Sequence, residues 1–192
     1  MKKNSCISDI EFFPENITTL NKTSKDGDNV EYMTESEVTV INFDAVKEAY
    51  FKSFESHINV CPCSVDALVL QNNGRWAFIE FKNGVIDSKE RRNIRLKIKS
   101  SLLILCDIVK VNLDFTREKL DLYLIYNHDK NNSSREKIND SVAVHAGEEP
   151  PRFKYLKMYE NVFFKNVQSY SNLKIEDFVR NIVPININTI FL

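Results

Sequence analysis

The chain has 192 residues, of which 43% are hydrophobic and 28% charged, and its formal net charge at pH 7 is −1. This length and composition are typical of one globular domain, and we expect a single domain over 1–192. The near-zero net charge excludes a global basic field, so a nucleic-acid interface would have to be a local patch. No apolar stretch is long enough to span a membrane, and four cysteines occur without a signal peptide, which leads us to expect a cytoplasmic protein with no membrane partner.

The first part of the chain predicts a strand and a helix that follow a poorly structured segment. Residues 1–34 mix turn formers with short apolar runs and show no clear periodicity. Alternation of valines with polar residues predicts a strand at 37–41. A helix should then begin at Asn42 or Asp44, either of which can cap it, and end near residue 56.

The stretch 63–83 predicts a β-hairpin that carries charge at one end. Its two apolar runs are Val65–Leu70 and Trp76–Phe81, and they flank the turn signal Asn72-Asn73-Gly74. Asp66 lies early in the first run, whereas Glu80 and Lys82 lie late in the second. Ionisable groups among apolar neighbours are costly to bury unless they pair with one another or bind a metal.

The length of the turn decides whether these charges meet. With a three-residue loop and Gly74 in the left-handed conformation, Asp66 lies opposite Glu80, and Lys82 follows two residues later on the same face. A two-residue loop would instead pair Asp66 with Phe81 and send the two carboxylates to opposite faces. We predict the three-residue loop, because of the two it is the one that collects the charges.

At these residues the chain resembles the PD-(D/E)xK nuclease superfamily, whose core presents an Asp on one strand and Glu-x-Lys on the next. The match is Asp66, thirteen intervening residues and then Glu80-Phe81-Lys82, with Val65 in place of the proline that often precedes the Asp. The motif covers residues 65–82, and the order of elements extends the resemblance to about half of the chain. The resemblance implies a restriction-endonuclease-like α/β fold with a mixed central sheet flanked by helices.

The resemblance also implies hydrolysis of phosphodiester bonds in nucleic acid, with DNA expected before RNA, in a setting such as restriction, repair or phage defence. Asp66, Glu80 and the backbone carbonyl of Phe81 would bind Mg²⁺ or Mn²⁺. Lys82 would hold the attacking water and stabilise negative charge in the transition state. The helix before the hairpin often brings a further acid in that family; Glu48 is the candidate here, and a solvated acid is the alternative.

A long helix with a basic first half should follow the hairpin, beginning at Asp87 or Ser88 and ending near Val109. Its basic residues are Lys89, Arg91, Arg92, Arg95, Lys97 and Lys99, against one acid, Glu90. Because this half starts close to Lys82, we predict that Lys89, Arg91, Arg92 and Arg95 contact substrate phosphates; a solvated helical face is the alternative. The second half is apolar nearly all round, so we expect it to be covered on more than one side.

The rest of the chain predicts alternating elements around one long polar loop. We expect strands at 119–126, 162–170 and 185–192, helices at 154–159 and from residue 171 or 172 to Pro184, and a polar loop at 127–150. These elements would extend the sheet that the hairpin begins.

Two other functional classes stay open at this point. The fold could be a non-catalytic module that binds nucleic acid or a protein partner, with Lys82 and the two acids forming an internal salt bridge. A homodimer is equally compatible with the composition. The connector His57, Cys61 and Cys63 could also belong to a structural zinc site, although its Cys-x-Cys spacing is unusual and it lacks a fourth local ligand.

Overall fold

The computed structural model describes residues 10–25, 31–54, 62–71, 73–131 and 153–182. Six strands within these ranges form one sheet in sequential order: β1 Ile17–Thr19, β2 Thr39–Asn42, β3 Ala67–Leu70, β4 Trp76–Lys82, β5 Leu120–Tyr126 and β6 Val167–Ser171. β1 to β4 pair antiparallel, whereas β5 and β6 continue the sheet in parallel with β4. The predicted mixed central sheet is confirmed.

Helices cover both faces of this sheet. They are α1 Leu20–Thr23, α2 Phe43–Lys52, α3 Ser88–Val109, α4 Leu113–Lys119, α5 Lys154–Lys157 and α6 Ile175–Asn181. Short 3₁₀ turns occur at Pro14–Asn16, Asp129–Asn131 and Asn172–Lys174. The helices α2 to α5 contribute to the core on one face, and α1 and α6 contribute to the core on the other. The predicted α/β architecture with flanking helices is therefore confirmed.

The central strands β3, β4 and β5 are apolar on both sides because both faces are covered. Phe78 of β4 faces α3, where it belongs to the same core as Ile94 and Ile98. Its neighbour Ile79 faces the opposite core, which includes Phe178 of α6. Alternation along the central strands thus directs successive apolar side chains to opposite cores.

Both long helices begin at the residues that the sequence predicts as caps. The Asn42 side chain accepts a hydrogen bond from the Ala45 N–H at 3.1 Å, and the Asp87 side chain accepts one from the Glu90 N–H at 2.8 Å. The second half of α3 is covered on more than one side, as expected, because α2 packs beside it in addition to the sheet, with the Tyr50 hydroxyl donating to Asp107 at 2.8 Å. Leu103 lies outside this coverage and is 72% exposed.

The stretch 1–34 contains more structure than the sequence predicts. β1 pairs antiparallel with β2 at the edge of the sheet, and Leu20, which opens α1, is completely buried. Both elements are only three or four residues long, so their local signal is weak and their stability depends on packing against β2 and α6. Residues 1–9 and 26–30 lie outside the described residues.

The C-terminal part differs from the prediction at two places. α4 was not predicted, although the Asn112 side chain caps it by accepting from the Asp114 and Phe115 N–H groups. The strand predicted at 162–170 begins only at residue 167, because a turn with Asn161 in the left-handed conformation (φ 58°) precedes it. The predicted strand at 185–192 and most of the polar loop at 127–150 lie outside the described residues.

Among the described residues, no helix combines the length and the apolar composition that crossing a bilayer would require.

Candidate functional site

The β3–β4 hairpin has the three-residue loop that collects the charges. The Gln71 N–H donates to the Arg75 carbonyl at 2.7 Å, and Gly74 has a φ of 75°, in the left-handed region. This register places Asp66 opposite Glu80 and directs both side chains to the face that α3 covers. The predicted register is confirmed.

The two carboxylates share one cation, and it is the ammonium group of Lys97. Lys97 Nζ lies 3.0 Å from Asp66 Oδ1 and 2.8 Å from Glu80 Oε1. One helical turn later, the buried hydroxyl of Ser101 accepts a hydrogen bond from the Val65 N–H at 2.8 Å, which ties α3 to the residue before Asp66. The docking of α3 thus carries Lys97 between the two acids.

Sequence reasoning did not assign a role to Lys97. It was one of six basic residues in the first half of α3, and the prediction named four others. A signal was nevertheless present, since Lys97 follows Ile94 by three residues and precedes Ser101 by four. Those positions form the buried stripe of the helix, so this spacing directs Lys97 toward the sheet.

Lys82 lies on the other side of Glu80, between two acids. Its Nζ is 2.9 Å from Glu80 Oε1 and 2.8 Å from Glu90 Oε1, on the first turn of α3. The connection that brings Glu90 there is fixed by Asn131, whose side chain donates to the Gly84 carbonyl and accepts from the Ile86 N–H. Lys82 is therefore held both by its own strand and by the helix that follows.

Glu80 is the most deeply buried acid of the site, with 1% of its surface exposed. Burial raises its pKa to about 7, and the Asp66 charge adds to the rise, while Lys97 and Lys82 oppose it. Both ammonium groups contact Oε1, at 2.9 Å for Lys82 and 2.8 Å for Lys97, whereas Oε2 has no hydrogen-bond partner among the described residues. A buried carboxylate oxygen without a hydrogen bond is rare, and a water, an ion or a ligand can supply the missing partner.

The two lysines keep their charge at neutral pH. Burial alone would lower the pKa of each ammonium group, but Glu80 beside Lys82, and Glu80 and Asp66 beside Lys97, raise both pKa values above the ordinary range for lysine. The site is thus an alternating array of carboxylates and ammonium groups, all of it on the α3 side of the sheet.

Asp66 is bound to the next strand through its other oxygen. Its Oδ2 accepts a hydrogen bond from the Phe81 N–H at 2.6 Å. Because the N–H and C=O groups of one strand residue point the same way, the Phe81 carbonyl lies toward the same edge of β4. Burial raises the pKa of Asp66 and the charge of Asp44 adds to the rise, whereas Lys97 opposes it.

The acid of α2 that acts on the site is thus Asp44, whose Oδ1 accepts a hydrogen bond from the Ser64 hydroxyl at 2.5 Å. Glu48, the predicted further metal ligand, lies one turn later on the helix and is exposed. In the zinc alternative, Cys63 is exposed, whereas His57 and Cys61 lie outside the described residues.

The four predicted phosphate-contacting residues divide into two pairs. Lys89 and Arg92 are exposed on the outer side of α3. Arg91 lies with its guanidinium 5.7 Å from the ring centre of Tyr155, and Arg95 follows one turn later, with its Nε donating to the Arg91 carbonyl at 3.3 Å. Sequence reasoning missed Tyr155, which belongs to α5, far along the chain.

Tyr155 connects this basic pair with the acids electrostatically. Burial raises its pKa to about 12, Arg91 and Arg95 oppose the rise, and the charges of Glu90 and Glu80 add to it. The Tyr155 hydroxyl and the Arg91 Nε are both buried and have no hydrogen-bond partner among the described residues. Two donors without acceptors beside an acid cluster suit an anionic ligand such as phosphate.

The donor set fits Mg²⁺ or Mn²⁺ better than it fits zinc. The described residues contain no group of three or more His, Cys, Asp and Glu side chains arranged around a common metal position. Mg²⁺ does not need such a group, since it is commonly held by one or two carboxylates with water and substrate phosphate completing its shell. Asp66, the unbonded Oε2 of Glu80 and the Phe81 carbonyl would supply the protein ligands.

The chain matches no protein-family model, no curated protein and no solved structure. The resemblance noted above consequently depends on residues 65–82 and on the order of the surrounding elements.

Proposed function

We propose that this chain is a metal-dependent nuclease that hydrolyses phosphodiester bonds of nucleic acid on a restriction-endonuclease-like scaffold. One observation carries the proposal. The carboxylates of Asp66 and Glu80, from neighbouring strands, lie close enough to share a single cation, and Lys82 lies directly beside them. Two acids and a lysine in that arrangement suit metal-assisted hydrolysis of a phosphodiester.

Each residue of the site would have a distinct task. Asp66, Glu80 and the Phe81 carbonyl would hold Mg²⁺ or Mn²⁺, which when bound supplies an activated water and offsets charge on the phosphate. Lys82, kept protonated by Glu80 and Glu90, would orient the water and stabilise the negative transition state. The buried position of Glu80 keeps bulk water from competing at its carboxylate.

The substrate would approach along the first half of α3. Arg91 and Arg95, with the Tyr155 hydroxyl, would bind a backbone phosphate next to the acids. Lys89 and Arg92 on the outer side of the helix would contact phosphates further along the strand. DNA is the substrate we propose first, and a role in restriction, repair or phage defence would suit such an activity.

A second candidate is a non-catalytic module of the same fold, which binds nucleic acid or a protein partner, alone or as a homodimer. The observation that favours it is the position of Lys97. Its ammonium already neutralises Asp66 and Glu80, so the acids are paired without any metal. In that case the cluster would be a structural ion-pair network.

Incubation with nucleic acids distinguishes the two candidates. Purified protein is mixed with plasmid DNA, single-stranded DNA and RNA, each with Mg²⁺, with Mn²⁺ and with a chelator. We expect cleavage of DNA that requires the metal and disappears in Asp66→Asn and Glu80→Gln. Asp114→Asn, which changes an exposed acid of α4, is the matched control and should cleave like the parent.

The opposite result would be nucleic-acid binding that is the same with metal and with chelator, without cleavage of any of the three substrates. That outcome would favour the non-catalytic module.

A further inference from the structure

Lys97 occupies the position that a divalent cation would take. Its Nζ contacts one oxygen of Asp66 at 3.0 Å and one oxygen of Glu80 at 2.8 Å, and its side chain is only 18% exposed. A Mg²⁺ ion held by the same two carboxylates would need their oxygens at about 2.0–2.1 Å, closer than either ammonium contact. An ammonium group and a divalent ion cannot both lie between the two acids.

Of the two lysines at the site, Lys97 is the one that can leave. Lys82 has a second anchor outside the acid pair, because Glu90 holds it at 2.8 Å. Within the described part of the chain, Lys97 has ion pairs with Asp66 and Glu80 alone. Its flexible four-carbon stem allows the ammonium to move while α3 stays docked.

A displaced Lys97 would remain next to the metal and would need a new anion. The acids would then be neutralised by the metal, and two positive charges side by side repel each other. A phosphate of the substrate is such an anion, and Arg91 and Arg95 of the same helix would attract it as well. Binding of metal and binding of phosphate would therefore favour each other. The metal releases the Lys97 ammonium to the phosphate, and the phosphate reduces the repulsion between that ammonium and the metal.

We infer that Lys97 is an exchangeable internal cation: it holds Asp66 and Glu80 together before loading, is displaced by the divalent ion, and then binds the substrate phosphate. This inference rests on the proposed function, because it takes Asp66 and Glu80 to be the metal ligands. Its consequence is that metal loads weakly in the absence of a phosphate-bearing ligand and more tightly in its presence.

The test measures Mn²⁺ affinity directly, by the paramagnetic resonance signal of free Mn²⁺ during titration of the full chain at pH 8. Lys97→Met should bind Mn²⁺ about tenfold more tightly than the parent, since an opposing charge has been removed from the site. Lys99→Met changes an exposed lysine of the same helix and is the matched control, with unchanged affinity. Lys97→Gln, which keeps a polar end, and melting temperatures of all variants verify folding.

A second titration includes thymidine 5′-monophosphate, which carries a phosphate but has no phosphodiester bond to cut. The nucleotide should tighten Mn²⁺ binding severalfold in the parent and less in Lys97→Met, because the variant has no ammonium group to transfer to the phosphate. An equal effect in both proteins would overturn the role of Lys97 in phosphate binding.

The outcomes separate this inference from the proposed function. If the parent binds Mn²⁺ and folded Lys97→Met binds it no more tightly, the exchange is wrong and the nuclease proposal stands. If Lys97→Met binds Mn²⁺ and the parent does not, even with the nucleotide present, Lys97 is a fixed cation, the exchange is overturned, and the parent is a non-catalytic scaffold. If neither binds Mn²⁺ at millimolar concentration, both proposals are overturned.

Discussion

The sheet contains two buried acids, which lie near opposite ends of the neighbouring strands β4 and β5 and on opposite faces. They differ greatly in how many hydrogen-bond donors reach their oxygens. Asp121 is completely buried near the start of β5, and donors reach both of its oxygens: Arg75 (3.1 Å), Gln71 (3.0 Å), Tyr123 (3.3 Å) and Asn166 (2.9 Å). Glu80 is equally inaccessible near the end of β4, but it has two ammonium groups on one oxygen and no hydrogen bond to the other.

The difference separates a fully satisfied cluster from one that still has room for a ligand. A buried carboxylate with donors on both oxygens is a stable end state, and there is nothing left for a ligand to bind. A buried carboxylate with an unbonded oxygen, a raised pKa and a flexible lysine as neighbour, 18% exposed in the case of Lys97, can exchange partners. Asp121 therefore fixes the sheet and Asn166 before β6, whereas Glu80 is the acid to which we assign a role in the proposed chemistry.

The largest expected effect is the loss of stability on removing the structural acid. Asp121→Ala would leave Arg75, Gln71 and Asn166 without their common acceptor, and we expect unfolding free energy to fall by about 3–5 kcal/mol. Asp114→Ala removes an exposed acid that also pairs with an arginine, Arg117 at 2.7 Å, and should cost less than about 1 kcal/mol. Urea unfolding measures both, and similar losses would refute the structural assignment of Asp121.

At the other cluster, Lys82→Ala should affect catalysis more than folding. We expect the single-turnover rate of cleavage to fall by about 10²-fold or more, because one preorganised charge is lost from the transition state. Stability should fall by less than in Asp121→Ala, since Lys97 still neutralises Glu80. A large loss of stability, together with no metal-dependent cleavage by the parent, would make Lys82 a structural residue.

The raised pKa of Glu80 predicts that the stability of the fold depends on pH and is greater on the acidic side. The folded protein binds a proton at Glu80 near pH 7, whereas the unfolded chain binds it only near 4.5. Stability from this group therefore increases as pH falls through 7, by about 1 kcal/mol between pH 8 and pH 6 in the presence of a chelator. Urea unfolding at both pH values should show the gain in the parent.

The Glu80→Gln variant cannot take up this proton, so most of the difference in its unfolding free energy between pH 8 and pH 6 should disappear. A variant that retains the full difference would mean that another group titrates in this range. Because the metal requires the ionised carboxylate, Mn²⁺ affinity of the parent should also decrease as pH falls below 7.

The smallest effect concerns the arginines. Arg75 is paired with Asp121, whereas Arg91 has no ion pair among the described residues and lies over Tyr155. Arg91→Gln should weaken DNA binding severalfold and reduce the dependence of log affinity on log salt by about one unit, as for one lost phosphate contact. Filter binding over a range of salt concentrations provides the measurement.

Arg92→Gln removes an exposed arginine from the next position and is the matched comparison for Arg91→Gln. We expect a smaller change, because a solvated side chain gains less from a phosphate than one that is already partly desolvated. Equal effects of the two substitutions would mean that α3 attracts nucleic acid by its overall charge, without a defined subsite beside Tyr155.

The sequence by itself determined the hairpin and limited its register to two alternatives. The turn residues that end in Gly74 are a local feature, and with a three-residue loop the period of two along a strand places Asp66 and Glu80 on a shared face. Cap residues likewise determined where α2 and α3 begin, since Asn42 and Asp87 act within one helical turn. Features that depend on residues close together in the chain, such as turns and helix caps, can be predicted from the sequence.

Only the tertiary structure decided what surrounds the hairpin. Lys97 lies 31 residues from Asp66, and Tyr155 comes from a different part of the chain than the helix it contacts. Which basic residue of α3 reaches the acids depends on the rotation of that helix about its axis and on its contact with Val65 through Ser101. Those quantities result from packing of the whole core, and a change of one residue in helical phase moves a side chain by about 100°.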